Sequence, residues 1–148
     1  MKVHALLVLT AGLLPAADKP EEAVKKDRER IAGRWAVVSR EVNGMKVDDE
    51  LLKTVVVTFK ADGTAEVLRD GQKVADITTT TIDPGKKPKE LDQTIKTPDG
   101  KEQSVKGIYQ IEGDDLKICT AAPGKDRPKD FTGKEGSGNT LTVLRRKK

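Results

Sequence analysis

From Gly33 onward, apolar and polar residues alternate in short runs that break at Gly, Asp, Asn and Pro, and this period of two predicts strands. The clearest run is Gly107–Cys119. Its first arm sets Gly107, Tyr109 and Ile111 on one face and Ile108 and Gln110 on the other; its second sets Leu116 and Ile118 against Lys117 and Cys119. Between them, Glu112-Gly113-Asp114-Asp115 supplies a residue free to take positive φ and side chains that hold turns, so the stretch reads as a β-hairpin.

The remaining strands follow the same grammar. Gly33–Val42 ends at the turn dipeptide Asn43-Gly44, and Asp48–Lys53 reads as a single helical turn with acidic residues at its start. Val55, Val57 and Phe59 share one face of a second strand; Asp62-Gly63 and Asp70-Gly71 turn into the next two, over 64–69 and 72–81. Leu91, Gln93 and Ile95 define a short strand, and after the hairpin a Pro/Gly/Lys loop from Pro123 to Asn139 leads into a last strand, Thr140–Arg145. About eight short strands joined by short turns imply a sandwich or a closed up-and-down barrel. Closure removes the exposed edges a sheet must otherwise protect, so the expected fold is all-β, an antiparallel up-and-down barrel of about eight strands with a short N-terminal helix.

Ahead of the strands, residues 1–17 carry Lys2, an apolar run from Ala5 to Leu14 and small residues before Asp18, the pattern of a secretory signal peptide and too short to span a bilayer. Neither Ala16 nor Ala17 fits the small-x-small cleavage preference well, and a buried apolar segment is the alternative. Residues 18–32 form a charged helical leader in which Glu21 and Glu22 stand four positions ahead of Lys25 and Lys26. With only Ala23, Val24 and Ile31 as apolar positions, it is expected to lie lightly on the body or stay solvated; a basic tether to a membrane surface is its functional reading. Residues 33–148 are then one barrel domain, with a secreted or periplasmic location.

Composition narrows the chemistry. The formal charge is +4, from Lys+Arg 28 and Asp+Glu 24 interleaved along the chain. Removal of 1–17 takes only Lys2 from that balance, leaving 27 − 24 = +3. The four aromatics, Trp35, Phe59, Tyr109 and Phe131, are too few for a nucleic-acid stacking platform. His4 is the only histidine and falls in the expected signal peptide, so a mature chain has no imidazole for Ser-His-Asp or Cys-His catalysis or for a metal site. No cofactor and no metal are expected. The acidic groups at Asp48-Asp49-Glu50 and Asp114-Asp115 lie in turns, where carboxylates stay solvated and ionised, and they lack the alternating spacing calcium needs. Lys134–Gly138 has two glycines but no following helix to form a phosphate cradle.

Cys119 is the only cysteine, either buried and inert or available to pair with another chain. The loops bearing Lys86, Lys87 and Lys89 and, further on, Lys125, Arg127 and Lys129 form a candidate basic rim for an anion if both sit at one barrel end; otherwise their charges merely solvate two proline-stiffened loops.

Gly33-Arg34-Trp35 at the head of the first strand, with Arg145-Arg146 at the end of the last, resembles the lipocalin (calycin) pattern. The resemblance implies that Trp35 closes one end of the barrel and that a late arginine packs over its ring. Neighbours on a strand point opposite ways, so only one of Arg145 and Arg146 can do this. The stretch 31–146 is also similar to a secreted domain family expanded in planctomycete bacteria, which has no assigned activity. The matching pieces are Gly33-x-Trp35, Gly107-Ile108-Tyr109, Gly113-Asp114-x-Leu116-Lys117-Ile118-Cys119, Pro123-Gly124-Lys125-x-Arg127-Pro128 and Gly136-Ser137-Gly138. That similarity implies export and a lipocalin-like barrel and carries over no catalytic residue.

The expectation is therefore an exported, monomeric, non-catalytic binding protein for a small apolar or anionic ligand or a cell-envelope component, with no transmembrane segment. Its cavity would be lined by Trp35, Val37, Val57, Phe59, Tyr109 and Ile111, with Gly33, Trp35, Arg145 and Arg146 as structural positions. The alternative is a filled barrel serving as a structural or protein- or polymer-interaction module.

Overall fold

The computed structural model describes residues 20–148, so the expected signal peptide lies outside the described residues. The charged segment Pro20–Ile31 is helix α1, and it leads through Ala32 into β1, Gly33–Val42. A two-residue strand β2 (Met45–Lys46) and a four-residue helix α2 (Asp49–Leu52) precede β3 (Val55–Phe59) and β4 (Ala65–Arg69). The long strand β5 (Gln72–Asp83) is followed by β6 (Lys89–Lys96), β7 (Glu102–Glu112), β8 (Asp115–Ala121) and β9 (Asn139–Arg146).

Each strand pairs antiparallel with the next along the chain, apart from the short β2, which forms a hairpin with β1. β9 returns to pair with β1 from Trp35 opposite Arg146 to Val42 opposite Thr140, and this closes an 8-strand barrel. Closure leaves no long unpaired edge. The expected hairpin forms with Glu112 opposite Asp115 and Gly113 at positive φ. The turn Asn43-Gly44 takes positive φ at both residues, the geometry of a tight two-residue hairpin.

Irregularities in pairing decide what faces inward. On β1, Val37 opposes Leu144 but Ser39 opposes Val143, so Val38 is the extra residue of a β-bulge. Simple alternation would point Ser39 inward beside Val37; the bulge turns Arg40 inward instead, opposite Thr142. β5 carries two further shifts, at Val74 and at Thr78, which bend this long strand round the barrel.

Candidate functional site

The barrel interior has two halves. The half nearest α1 holds the most deeply buried side chains. Trp35, Tyr109, Leu116 and Leu144 there are essentially without solvent exposure and pack with Ile82, Leu91 and Ile111.

α1 closes this end with Val24 and Ile31 packed against the core and with a set of long-range polar contacts. Asp27 is buried, and its Oδ2 accepts hydrogen bonds from the Tyr109 hydroxyl at 2.8 Å and from Lys89 Nζ at 2.6 Å, while Arg30 lies 3.5 Å from Oδ1. Arg28 donates to the Thr80 carbonyl on β5 at 2.9 Å, and Arg30 to the Ile111 carbonyl on β7 at 3.3 Å. Burial by itself would raise the Asp27 carboxyl. The hydrogen bonds from Lys89 and Tyr109 and the charges of Lys89 and Arg30 outweigh it and hold the carboxyl below its ordinary value of 3.8. Burial, followed by the bond to Asp27 and its charge, pushes the Tyr109 phenol far above its ordinary value. The helix is thus where the sequence placed it, but it is an end plug held by long-range hydrogen bonds, not a solvated leader.

Trp35 and Arg146 finish the closure. The Trp35 indole donates to the Ile31 carbonyl at 2.7 Å, and the Arg146 guanidinium lies 4.3 Å from the Trp35 ring centroid. Arg146 also donates to the carbonyls of Arg30 and Ala32, so a cation satisfies acceptors that the C-terminus of α1 leaves open. Gly33 permits this approach: its φ is +127°, and a Cβ there would stand 2.9 Å from Arg146 Nη1. Arg145 points outward to Asp115. The arginine over the tryptophan expected from the lipocalin pattern is therefore Arg146.

The other half of the barrel is open. A cavity of about 390 Å³ is floored by Val37, Val57, Phe59, Val67, Ile77 and Leu144, with Gln93, Thr120, Thr140 and Thr142 contributing polar groups. Leu52 of α2 and Val47 stand at its wall between β1 and β3. Of the expected ligand-lining residues, Val37, Val57 and Phe59 face this space. Trp35, Tyr109 and Ile111 do not: they lie at the depth of the packed core, and Tyr109 and Ile111 border instead a separate, more open depression of about 360 Å³ shared with Lys86, Lys87, Lys89 and Phe131.

Among the described residues, the charged groups on the cavity wall are Arg40 and Arg69, which remain solvent-exposed and so stand at its mouth. Burial along the wall and the like charge of Arg69 both lower the Arg40 guanidinium from its ordinary 12.5. Sequence reasoning missed both: nothing in the local pattern marks the bulge that turns Arg40 inward, whereas Arg69 continues the regular inward alternation of Ala65 and Val67 on β4.

The expected basic rim does not assemble. Lys86 and Lys87 hang exposed from the β5–β6 turn at the plugged end, whereas Lys125 follows β8 at the opposite end, where it is exposed. Arg127 is not a free cation. It donates to the carbonyls of Leu91 at 2.8 Å and Gly107 at 2.7 Å and pairs with Asp92 and Glu90, which pins the long 122–138 loop to the outer wall. Under that loop the outward-facing Ile108 and Cys119 are buried, and the Cys119 thiol reaches the Thr132 carbonyl at 3.5 Å. Burial raises the thiol above its ordinary 9.0, which keeps it protonated and unreactive.

Among the described residues no group of three or more His, Cys, Asp or Glu is arranged to hold a metal, and no helix is long and apolar enough to cross a membrane. Comparison with known proteins finds no matching family model, no matching curated protein and no matching solved structure.

Proposed function

We propose that this chain is an exported, non-catalytic binding protein that takes a small, largely apolar molecule into the open half of its barrel. The observation that carries the reading is the cavity itself. Its volume of about 390 Å³ lies within the range of small-molecule sites, and its walls are mainly apolar side chains, with the buried Gln93 and three threonines as the neutral polar groups. A helix that seals the far end leaves one entrance, the arrangement of a cup rather than a pore. The described residues hold no histidine, their single thiol is buried, and the one deeply buried carboxylate is engaged in the plug. Export rests on the signal-like pattern of 1–17 and on the resemblance of 31–146, which carries no assigned activity.

The test is uptake of a neutral fluorescent naphthylamine, whose emission rises on leaving water. Saturable uptake with one site per chain is expected. Absence of uptake by the folded protein would favour the alternative, a structural or interaction module, and end this reading.

A further inference from the structure

Two cations face a largely apolar cavity whose lining, among the described residues, includes no acid. Arg40 and Arg69 project from β1 and β4, which are separated in the sheet by β3, the one opposite Thr142 on β9 and the other opposite Val55 on β3, and both line the cavity. No ion pair among the described residues includes either one. The contrast with the other inward or wall-bound arginines is sharp: Arg30 has Asp27, Arg127 has Glu90 and Asp92, and Arg146 has Asp114. Next to Arg40, the hydroxyl-bearing side chains of Thr142, Thr140 and Thr120 line the same wall on β9 and β8. Two like charges brought to one mouth repel each other, and a fold gains nothing from holding them there unless something negative comes between. Beneath them the wall turns apolar, with Val37, Val57, Phe59 and Ile77.

Resting on the reading of the barrel as a binding cup, we propose that its ligand is an anionic amphiphile. The apolar tail occupies the floor, and a carboxylate or phosphate head is held at the mouth by Arg40 and Arg69. Guanidinium forks match the oxygens of either head group, and a charge-assisted bond formed partly out of water is stronger than a neutral one. The bulge at Val38 is the backbone device that delivers Arg40 to this position. The threonine hydroxyls stand ready to donate to whichever head-group oxygens the arginines leave free.

The experiment displaces the neutral naphthylamine probe from the full chain with decanoate, decyl phosphate and decanol, which share a tail and differ in the head. At least one anion is expected to displace at a concentration about tenfold lower than the alcohol, and the tighter of the two identifies the head group. Raising salt from about 20 mM to about 1 M should shrink that preference without changing probe uptake. Arg40→Gln with Arg69→Gln should still take up the probe and treat the three competitors alike. Equal displacement by alcohol and anions in the unaltered protein would overturn the inference and leave the cup standing, as would an anion preference that survives the double substitution. Failure of the unaltered protein to take up the probe would remove the cup and the inference together.

Discussion

The Tyr109 hydroxyl donates to the Asp27 carboxylate across 2.8 Å, and the two residues lie 82 positions apart in the chain. This bond joins helix α1 to the seventh strand and makes the plug part of the barrel. Tyr109→Phe keeps the ring in its packed site and deletes one hydrogen bond to a charged acceptor, so a loss of about 1.5–3 kcal/mol is expected from chemical denaturation. Asp27→Ala leaves Lys89 and Tyr109 without their acceptor and should cost about 2–4 kcal/mol. A loss below about 0.5 kcal/mol for both variants would show that the helix is not held by this pair.

The same pair contributes to both limbs of the pH profile. Asp27 has a folded pKa below its ordinary 3.8, so its contribution is complete above that value and drains away as the pH falls through the lower, folded one. Tyr109 is shifted upward from 10.0, so its contribution is complete below pH 10.0 and is lost as the pH climbs toward the folded value. Tyr109 is the only tyrosine of the chain, which allows direct observation. Ultraviolet titration of the folded protein should show no tyrosinate at pH values where the denatured chain is already ionised. Ionisation at the ordinary value in the folded state would mean that the hydroxyl is free. Replacing Asp27 by Asn should flatten the acid limb of stability and lower the tyrosine pKa.

Arg146 serves Trp35 and the end of α1 together. Lysine at this position keeps the charge but cannot lie flat on the indole or donate to two carbonyls in a fork. Arg146→Lys is expected to lose about 1–3 kcal/mol. Trp35 is the sole tryptophan, so its fluorescence spectrum should shift in the folded variant as the ring's cover is lost. An unchanged spectrum and unchanged stability would show that ring packing alone holds this end.

The long loop over the outer wall shields the only thiol. Cys119 is fully buried, and the Thr132 carbonyl lies beside its Sγ, so the folded protein should fail to react with a thiol-specific disulfide reagent that labels it promptly in denaturant. Arg127→Ala removes the clamp on β6 and β7 and should raise the labelling rate at least about tenfold under native conditions, through local opening of the loop. Rapid labelling of the unaltered protein would contradict the burial of Cys119.

Much of this architecture is legible in the residues. The alternation of Val55, Val57 and Phe59 and the Asn43-Gly44 and Gly113 turns follow from local rules, whereas the pairing of Trp35 with a late arginine is what the lipocalin resemblance implies; together they point to a closed barrel. Three things were not legible. Periodicity reports which way a side chain points but not how deep it sits, so Tyr109 and Ile111 shared an inner face with Val57 in the pattern while lying in the filled half of the molecule. The bulge at Val38 carries no compositional marker, so nothing separated Arg40 from the ordinary outward charges. Asp27, too, sits in a helix whose hydrophobic pattern is weak, and its two β-strand partners lie 62 and 82 residues away. Polar anchoring over such distances leaves no trace in a window of neighbours.

The open half gives the last prediction. Ala75 lies on β5 opposite Val67 and lines the cavity, so a larger side chain there enters space that no protein atom occupies. In a packed core such a substitution forces strain of about 1–3 kcal/mol. In an empty apolar cup it buries a ring against Val67 and Ile77 instead. Ala75→Phe is therefore expected to leave the protein as stable as before, or more so by up to about 2 kcal/mol, and to weaken uptake of the neutral probe at least about tenfold. The opposite pair of results, a destabilised protein with unchanged uptake, would mean that the upper barrel is packed in solution and that the probe binds elsewhere.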